Sequence, residues 1–312
     1  MNVYRSLAEV PPAPEGRSVA LGTFDGVHRG HRRVISTAVE RARDHGLRPT
    51  VVTFDPHPLR VLRPDDPPRV LTTTDTKAEL VAGLGVEEML AIPFTPELSR
   101  CSAEEFIEDV LVGALGVKQL SVGANFRFGH EARGDAELLR ARPDFETTVV
   151  PLVEHDGGPV SSSRIRKLVA AGEVLEAADL LGAPYRLEGE VVPGDARGRE
   201  LGMPTVNLRH AADAVMPAAG IYAALAHGSE LGPDVPAAVS IGVRPTFEDH
   251  GDLRVEAHLI GFEGDLYGRT VRLDFLERLR DEERFESAAE LVEQMKEDVE
   301  QTREAVARAR EP

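Results

Sequence analysis

The run Gly22-Thr23-Phe24-Asp25-Gly26-Val27-His28-Arg29-Gly30-His31 decides how the first half of the chain is read. Ser18-Val19-Ala20-Leu21-Gly22, leading into it, is an apolar stretch of strand length. Behind it, Ile35, Ala38, Val39 and Ala42 recur at helical spacing. Together they predict a strand, a loop and a helix in succession. A loop of this kind ends at a helix N-terminus, where free amide groups and the helix dipole face an incoming anion. Gly22, Gly26 and Gly30 would let the backbone close on that ligand. Imidazoles at His28 and His31 could donate hydrogen bonds to oxygens that gain charge when a phosphate is attacked. By spacing alone the two histidines serve equally well as a structural pair or as metal ligands. Their place where a loop enters a helix favours the catalytic reading.

Working outward, Pro49 to Phe54, Leu90 to Pro93, Gln119 to Val122 and Thr147 to Val153 read as further strands. Helical stripes such as Phe106, Ile107, Val110, Leu111 and Ala114 lie between several of them. Strands alternating with helices imply an α/β domain, a parallel sheet wound on both faces. Two short helices follow, one after Ser163 and one ending near Leu181, and the pattern then changes at Gly182-Ala183-Pro184. The domain boundary is expected there, giving residues 1–183 and 184–312. Beyond it come short β-like runs broken by Gly and Pro: Arg186 to Val192, Gly220 to Ala226, Ala237 to Ile241, Leu253 to Ile260 and Arg269 to Phe275. That spacing predicts a small, largely antiparallel barrel. A last helix is expected from Ser287, with Glu290 completing a capping box and Leu291, Met295, Val299 and Val306 forming the docking face.

A chain of 312 residues with 42% hydrophobic content is long enough for about two domains. It contains no apolar run of transmembrane length and its first residues lack the apolar stretch of a signal peptide, so a cytoplasmic protein without membrane partners is expected. One cysteine, Cys101, excludes an internal disulfide and any cysteine-rich zinc site. The net charge of −17 argues against nucleic-acid binding, which needs clustered cations. Residues 281–300 carry nine Asp or Glu against two Lys or Arg, a pattern read first as a solvated helix face. No Walker A or GxGxxG pattern occurs, so neither a P-loop kinase nor an NAD enzyme is supported. A homo-oligomer is compatible with this sequence, which does not decide it.

The first stretch resembles the HxGH loop of the nucleotidyltransferases, and the whole string looks like the opening of the bacterial bifunctional riboflavin kinase/FAD synthetase family. The resemblance continues in order through Thr53-Phe54-Asp55-Pro56-His57-Pro58, Gly123-Ala124-Asn125-Phe126-Arg127-Phe128-Gly129 and Ser161-Ser162-Ser163-Arg164-Ile165-Arg166. It implies that His28 and His31 are catalytic, and that Gly22, Phe24, Asp25, Gly30, Ser162, Ser163, Arg164 and Arg166 bind ATP. Ser hydroxyls and guanidinium groups suit phosphate oxygens chemically. Asn125, Phe126 and Arg127 would lie on the FMN side, although Phe126 and Phe128 serve equally well as core residues. His57, between two prolines, reads as a turn former.

The second half continues the likeness. Gly194, Gly198 and Gly202 make a pliable loop ahead of Pro204-Thr205-Val206-Asn207, which resembles the PTAN motif of flavokinases. Gly242-Val243-Arg244-Pro245-Thr246-Phe247, Val255-Glu256-Ala257-His258 and Leu279-Arg280-Asp281-Glu282-Glu283-Arg284-Phe285 also match flavokinase signatures. By resemblance, Thr205 and Asn207 hold Mg²⁺ with ATP oxygens. Glu256 is then the general base, and Gly194, Gly198, Arg199, Gly202 and Arg280 contact kinase substrates. A neutral 5′-hydroxyl is a poor nucleophile and calls for a carboxylate to take its proton. FMN brings a phosphate already largely ionised at neutral pH, so the first site calls for no such base. Val206, Met203, Ser163 and Ser240 depart from the usual Ala, Phe, Thr and Asn while approximately keeping size or polarity. The expected function is therefore riboflavin phosphorylation followed by adenylylation, with ATP as co-substrate, Mg²⁺ as metal, and FMN and FAD as products. The rivals are an enzyme with only the kinase site live and a non-catalytic flavin-binding protein.

Overall fold

A computed structural model describes residues 1–194, 202–232, 234–243 and 253–311. Two compact units divide between Ser162 and Ser163, whereas the sequence pattern changes at 183/184.

The first unit is built on β1 (Asn2–Tyr4), β2 (Arg17–Leu21), β3 (Arg48–Asp55), β4 (Glu88–Pro93), β5 (Val117–Gly123) and β8 (Glu146–Val150). These form one sheet in the order β1-β4-β3-β2-β5-β8, every neighbour parallel. Between β5 and β8 lies the ribbon of β6 (Arg127–Phe128) and β7 (Gly134–Asp135), and beyond β8 that of β9 (Glu154–His155) and β10 (Gly158–Pro159). Side chains alternate across a strand, so each central strand feeds two cores. Val19, Leu21, Val52, Leu90, Ile92, Leu120 and Val122 join Phe106, Ile107, Val110 and Leu111 on one face. Ala20, Val51 and Met89 meet Val34, Ile35, Ala38, Ala78 and Val81 on the other. The helix carrying Phe106 begins at a true capping box, Glu105 N–H to Ser102 Oγ at 3.1 Å and Ser102 N–H to Glu105 Oε2 at 2.8 Å. It then widens into turns of i to i−5 bonding, such as Leu115 N–H to Val110 O at 3.0 Å.

Strand β1 was absent from the sequence reading because three residues at a sheet edge are too few to show a period. The same holds for a charged core. Arg17 and Glu88 are each 1% exposed and bonded Nε to Oε2 at 2.8 Å. Arg48 Nη1 takes the other Glu88 oxygen at 2.8 Å, and Arg17 also donates to the Leu115 and Pro11 carbonyls. Burial pushes the Glu88 carboxyl up, but hydrogen bonds from Arg17 and Arg48 outweigh it and hold the group below the usual carboxylate range. A carboxyl held low stabilises the fold fully above its unfolded pKa and loses that contribution as pH falls through the folded value. Glu88→Gln keeps the shape but leaves two arginines short of their counter-charge, and should cost about 2 kcal/mol at neutral pH. Urea unfolding at neutral and acidic pH checks this: the difference from the native chain should shrink on acidification, and equal midpoints at neutral pH would disprove it.

The second unit contains the helix Ser162–Ala171 from its second residue on, the helix Val174–Leu181 and a closed barrel. Its strands are β11 (Tyr185–Val192), β12 (Val206–His210), β13 (Gly220–His227), β14 (Val235–Val243), β15 (Leu253–Leu259) and β16 (Thr270–Arg280), in the order β11-β12-β15-β14-β13-β16. All pairs are antiparallel, and β16 closes on β11. Alternate residues fill the interior, including Tyr185, Leu187, Tyr222, Val239, Ile241, Val255, Ala257, Leu273 and Phe275. Strand β12 was not expected as a strand: only Leu208 is buried within it, so no apolar alternation announces it. The helix Ala288–Arg310 is capped by Ser287, whose Oγ accepts from Glu290 N–H at 3.3 Å. The reciprocal bond differs from a capping box, since Glu290 Oε2 accepts from Glu286 N–H at 3.1 Å.

Candidate functional site

In the first unit the chain order reverses between β2 and β5, and the loops leaving the carboxyl ends of neighbouring strands open a crevice at such a switch point. The loop after β2 is the Gly22–His28 segment, and the loop after β5 carries Asn125, so topology brings two of the expected groups to one sheet edge. His28 caps the helix Arg29–His45, its Nδ1 accepting from His31 N–H at 3.3 Å. The two imidazoles stack with centroids 3.5 Å apart, and Phe24 meets His31 edge-on at 5.3 Å. A side chain at Gly30 would press on the His28 ring at 3.2 Å, and one at Gly22 on Phe24 at 3.0 Å. Small residues there are what permits this cluster. Phe24 and Val27 hold φ of 48° and 42°, a region costly for residues with a Cβ.

The Asp25 side chain is placed differently from an exposed ligand contact. It is 2% exposed, and Oδ1 accepts from Leu71 N–H at 2.9 Å and Thr72 N–H at 3.1 Å. The Asp25 carbonyl accepts from Ser162 Oγ at 2.8 Å. Asp25 thus braces the loop through its carboxylate. Lys77, which sequence reasoning missed, lies beneath the same loop. No motif or hydrophobic period in the sequence marks it.

Asn125 is exposed, and Phe126 is half-buried, stacked on Phe128 at 5.6 Å. Arg127 Nη1 donates to Asp135 Oδ2 at 2.8 Å across the β6–β7 ribbon. His57 Nδ1 accepts from Leu59 N–H at 3.2 Å and so caps a short helix, in keeping with a turn former. Ser162 opens the helix that continues through Ser163, Arg164 and Arg166, of which Ile165 and Val169 are buried. Ser163, Arg164 and Arg166 belong to the second compact unit.

The barrel carries the other site. Asn207 on β12 stands directly opposite Glu256 on β15, which in turn faces Ser240 on β14. A cavity of about 410 Å³ is lined by these residues together with Thr205, Arg254 and Glu282. Glu256 Oε1 accepts from Arg254 Nη1 at 2.9 Å. Burial pushes the Glu282 carboxyl up; Arg280 opposes this and the Glu256 charge adds to it. A Cβ at Gly194 would collide with the Asn207 side chain, so glycine at this position leaves room for that side chain. Gly202 has φ of 76°, which also favours glycine. Gly198, Arg199 and the 244–247 segment lie outside the described residues. Arg280 lines the cavity, but its guanidinium is held bidentately by Asp298 of the last helix, both contacts 2.7 Å. It also packs over the Phe285 ring at 5.9 Å. That pairing ties the last helix to the barrel while the side chain remains on the cavity wall.

Residues 10–164 match the FAD synthetase family and residues 181–306 the riboflavin kinase family. The bifunctional riboflavin kinase/FMN adenylyltransferase of Pseudomonas fluorescens is 36% identical over 99% of this chain and 97% of its own length. Its counterpart from Escherichia coli is 35% identical over 96% of each. A crystal structure described as a macrolide-efflux protein from Streptococcus pneumoniae matches with a TM-score of 0.86 and 34% identity, covering 96% of this chain and 98% of that one. Among the described residues, no helix is long and apolar enough to cross a membrane.

Proposed function

Because the chain belongs to the family of bifunctional riboflavin kinase/FMN adenylyltransferases, we propose that Glu256 is the base of its kinase site and that His28 and His31 serve its adenylyl-transfer site. The chain is a bifunctional enzyme: it phosphorylates riboflavin to FMN and adenylylates FMN to FAD, with ATP as donor in both steps. The observation that carries the residue roles is the juxtaposition of Asn207 and Glu256 on neighbouring strands of one cavity. It sets an oxygen donor for a cation beside a carboxylate able to take the riboflavin hydroxyl proton. In the first unit no carboxylate is needed, because the attacking phosphate of FMN is already ionised. Ser162, Ser163, Arg164 and Arg166 are assigned to ATP, and Asn125, Phe126 and Arg127 to FMN. Residues 1–183 are assigned to adenylyl transfer and 184–312 to phosphorylation, in a cytoplasmic enzyme.

The Thr205 hydroxyl and Asn207 carbonyl oxygen are hard donors of the kind Mg²⁺ takes, and the glycine at 194 leaves room against Asn207. These two residues would hold the ion, which neutralises triphosphate charge when bound. The test is incubation with riboflavin, ATP and Mg²⁺ followed by chromatography, in which FMN and then FAD should appear. FMN alone would mean a single live site, and neither product a binding protein. Thr205→Ala should raise the Mg²⁺ concentration for half-maximal FMN synthesis on the order of tenfold. An unchanged Mg²⁺ titration would remove Thr205 from the metal site.

A further inference from the structure

We infer that Lys77 is a positioning residue for adenylyl transfer, its ammonium group pinning the Thr23 carbonyl and with it the loop that presents Phe24, His28 and His31. This rests on reading that loop as the adenylyl-transfer site. Lys77 lies on the helix Thr74–Ala82, capped by Thr73, and is 6% exposed. Its Nζ donates to Thr23 O at 2.7 Å and to Thr53 Oγ1 at 3.2 Å, while Thr53 Oγ1 itself donates to Thr23 O at 2.9 Å. One backbone carbonyl thus receives two donors, one of them a buried cation.

Burying an ammonium against neutral oxygens is unfavourable, and a methionine would fill the same volume without that cost. The charge therefore calls for a task. The loop above it supplies one. Immediately after Thr23 the backbone enters the left-handed region at Phe24 and returns to it at Val27, conformations that persist only when their surroundings impose them. Besides Thr53 and Ser162, several imposing contacts come from one short segment. Leu71 and Thr72 hold the Asp25 carboxylate, Thr72 Oγ1 accepts from Gly26 N–H at 3.0 Å, and Lys77 holds Thr23. Loss of the Lys77 clamp frees the start of the loop, and the catalytic imidazoles at its end lose their fixed place.

The charged groups acting on the ammonium are the Asp25 carboxylate from the loop and the Asp55 carboxylate at the end of β3, the latter also 3.8 Å from Arg5. Burial lowers the Lys77 pKa, and these two carboxylates oppose that shift. The clamp is therefore lost as pH rises through a value under the usual lysine range.

The experiment uses the full chain, with FAD formation from FMN and ATP resolved into kcat and KM across pH. Lys77→Met should lower kcat roughly ten- to a hundredfold, as misplacement of reacting groups does. KM for ATP and FMN should stay within about threefold, since binding contacts remain. Riboflavin phosphorylation by the same protein should be unchanged. Lys77→Arg keeps the charge and should recover part of kcat, with the alkaline limb of its profile moved to higher pH. If the methionine variant does not fold, the arginine variant's alkaline limb decides alone. An unchanged kcat in Lys77→Met, a loss confined to KM, or an alkaline limb identical in Lys77→Arg and the native chain would overturn the inference. Failure of the native chain to make FAD, or full FAD synthesis in His31→Ala, would instead overturn the site reading on which it rests.

Discussion

Riboflavin phosphorylation should fall by roughly a hundred- to ten-thousandfold in Glu256→Gln, the range typical of a lost general base. The amide keeps the shape of the carboxylate and can still accept from Arg254, whose Nη1 lies 2.9 Å from Oε1. What it cannot do is take the proton of the riboflavin hydroxyl. Packing around Asn207 and Ser240, which flank Glu256 across two strands, should be preserved, so KM for riboflavin should move far less than kcat. Glu282, Glu283 and Asp298 also line this cavity, but only Glu256 stands directly opposite Asn207 across the strands. FAD synthesis from supplied FMN should persist at its normal rate. A variant that still phosphorylates riboflavin with native kcat would show that the base lies elsewhere.

Much of this architecture is legible in the sequence because burial and period coincide. Strands β2 to β5 each carry a buried apolar run that feeds both cores, as a sheet covered on both faces requires, and the helix carrying Phe106 shows a clear stripe. The loops were legible because their glycines and histidines stand at strand ends. What escaped the reading was polar and long-range. Arg17 and Glu88 are 71 positions apart and look like surface charges until β1, β2 and β4 assemble around them. Asp25 reads as a ligand group because it sits in a ligand loop, and the bonds its carboxylate accepts from the Leu71 and Thr72 amides could not be read from that loop alone. Arg280 reads as a substrate contact because it lies in a signature, and its bond to Asp298 depends on where the last helix docks. Lys77 belongs to the same class: no local period marks a lysine whose partners, Thr23 and Thr53, come from two other elements. Strand β12 was missed for a different reason, since a strand with one buried side chain has no alternation to display.

His31→Ala should lower FAD formation by roughly a hundred- to a thousandfold, the loss expected when one donor to a developing oxyanion is removed. It is a cleaner probe than His28→Ala. His28 also caps the helix, accepting from His31 N–H, so its removal would mix a lost catalytic group with a frayed helix end worth about 1 kcal/mol. The His31 backbone donor survives substitution, and the helix keeps its cap. What disappears is the ring stacked on His28 at 3.5 Å and packed against Phe24 at 5.3 Å. Starting from riboflavin, the variant should therefore form FMN at the native rate and accumulate it, while FAD stays near background. This is the mirror image of Glu256→Gln, which makes FAD only when FMN is supplied. The crossed pair separates two sites from one, because both steps use ATP yet each substitution touches only one chemistry. If either substitution abolished both activities in protein that remains folded by circular dichroism, the two-site assignment would fail, and a single shared centre would have to replace it.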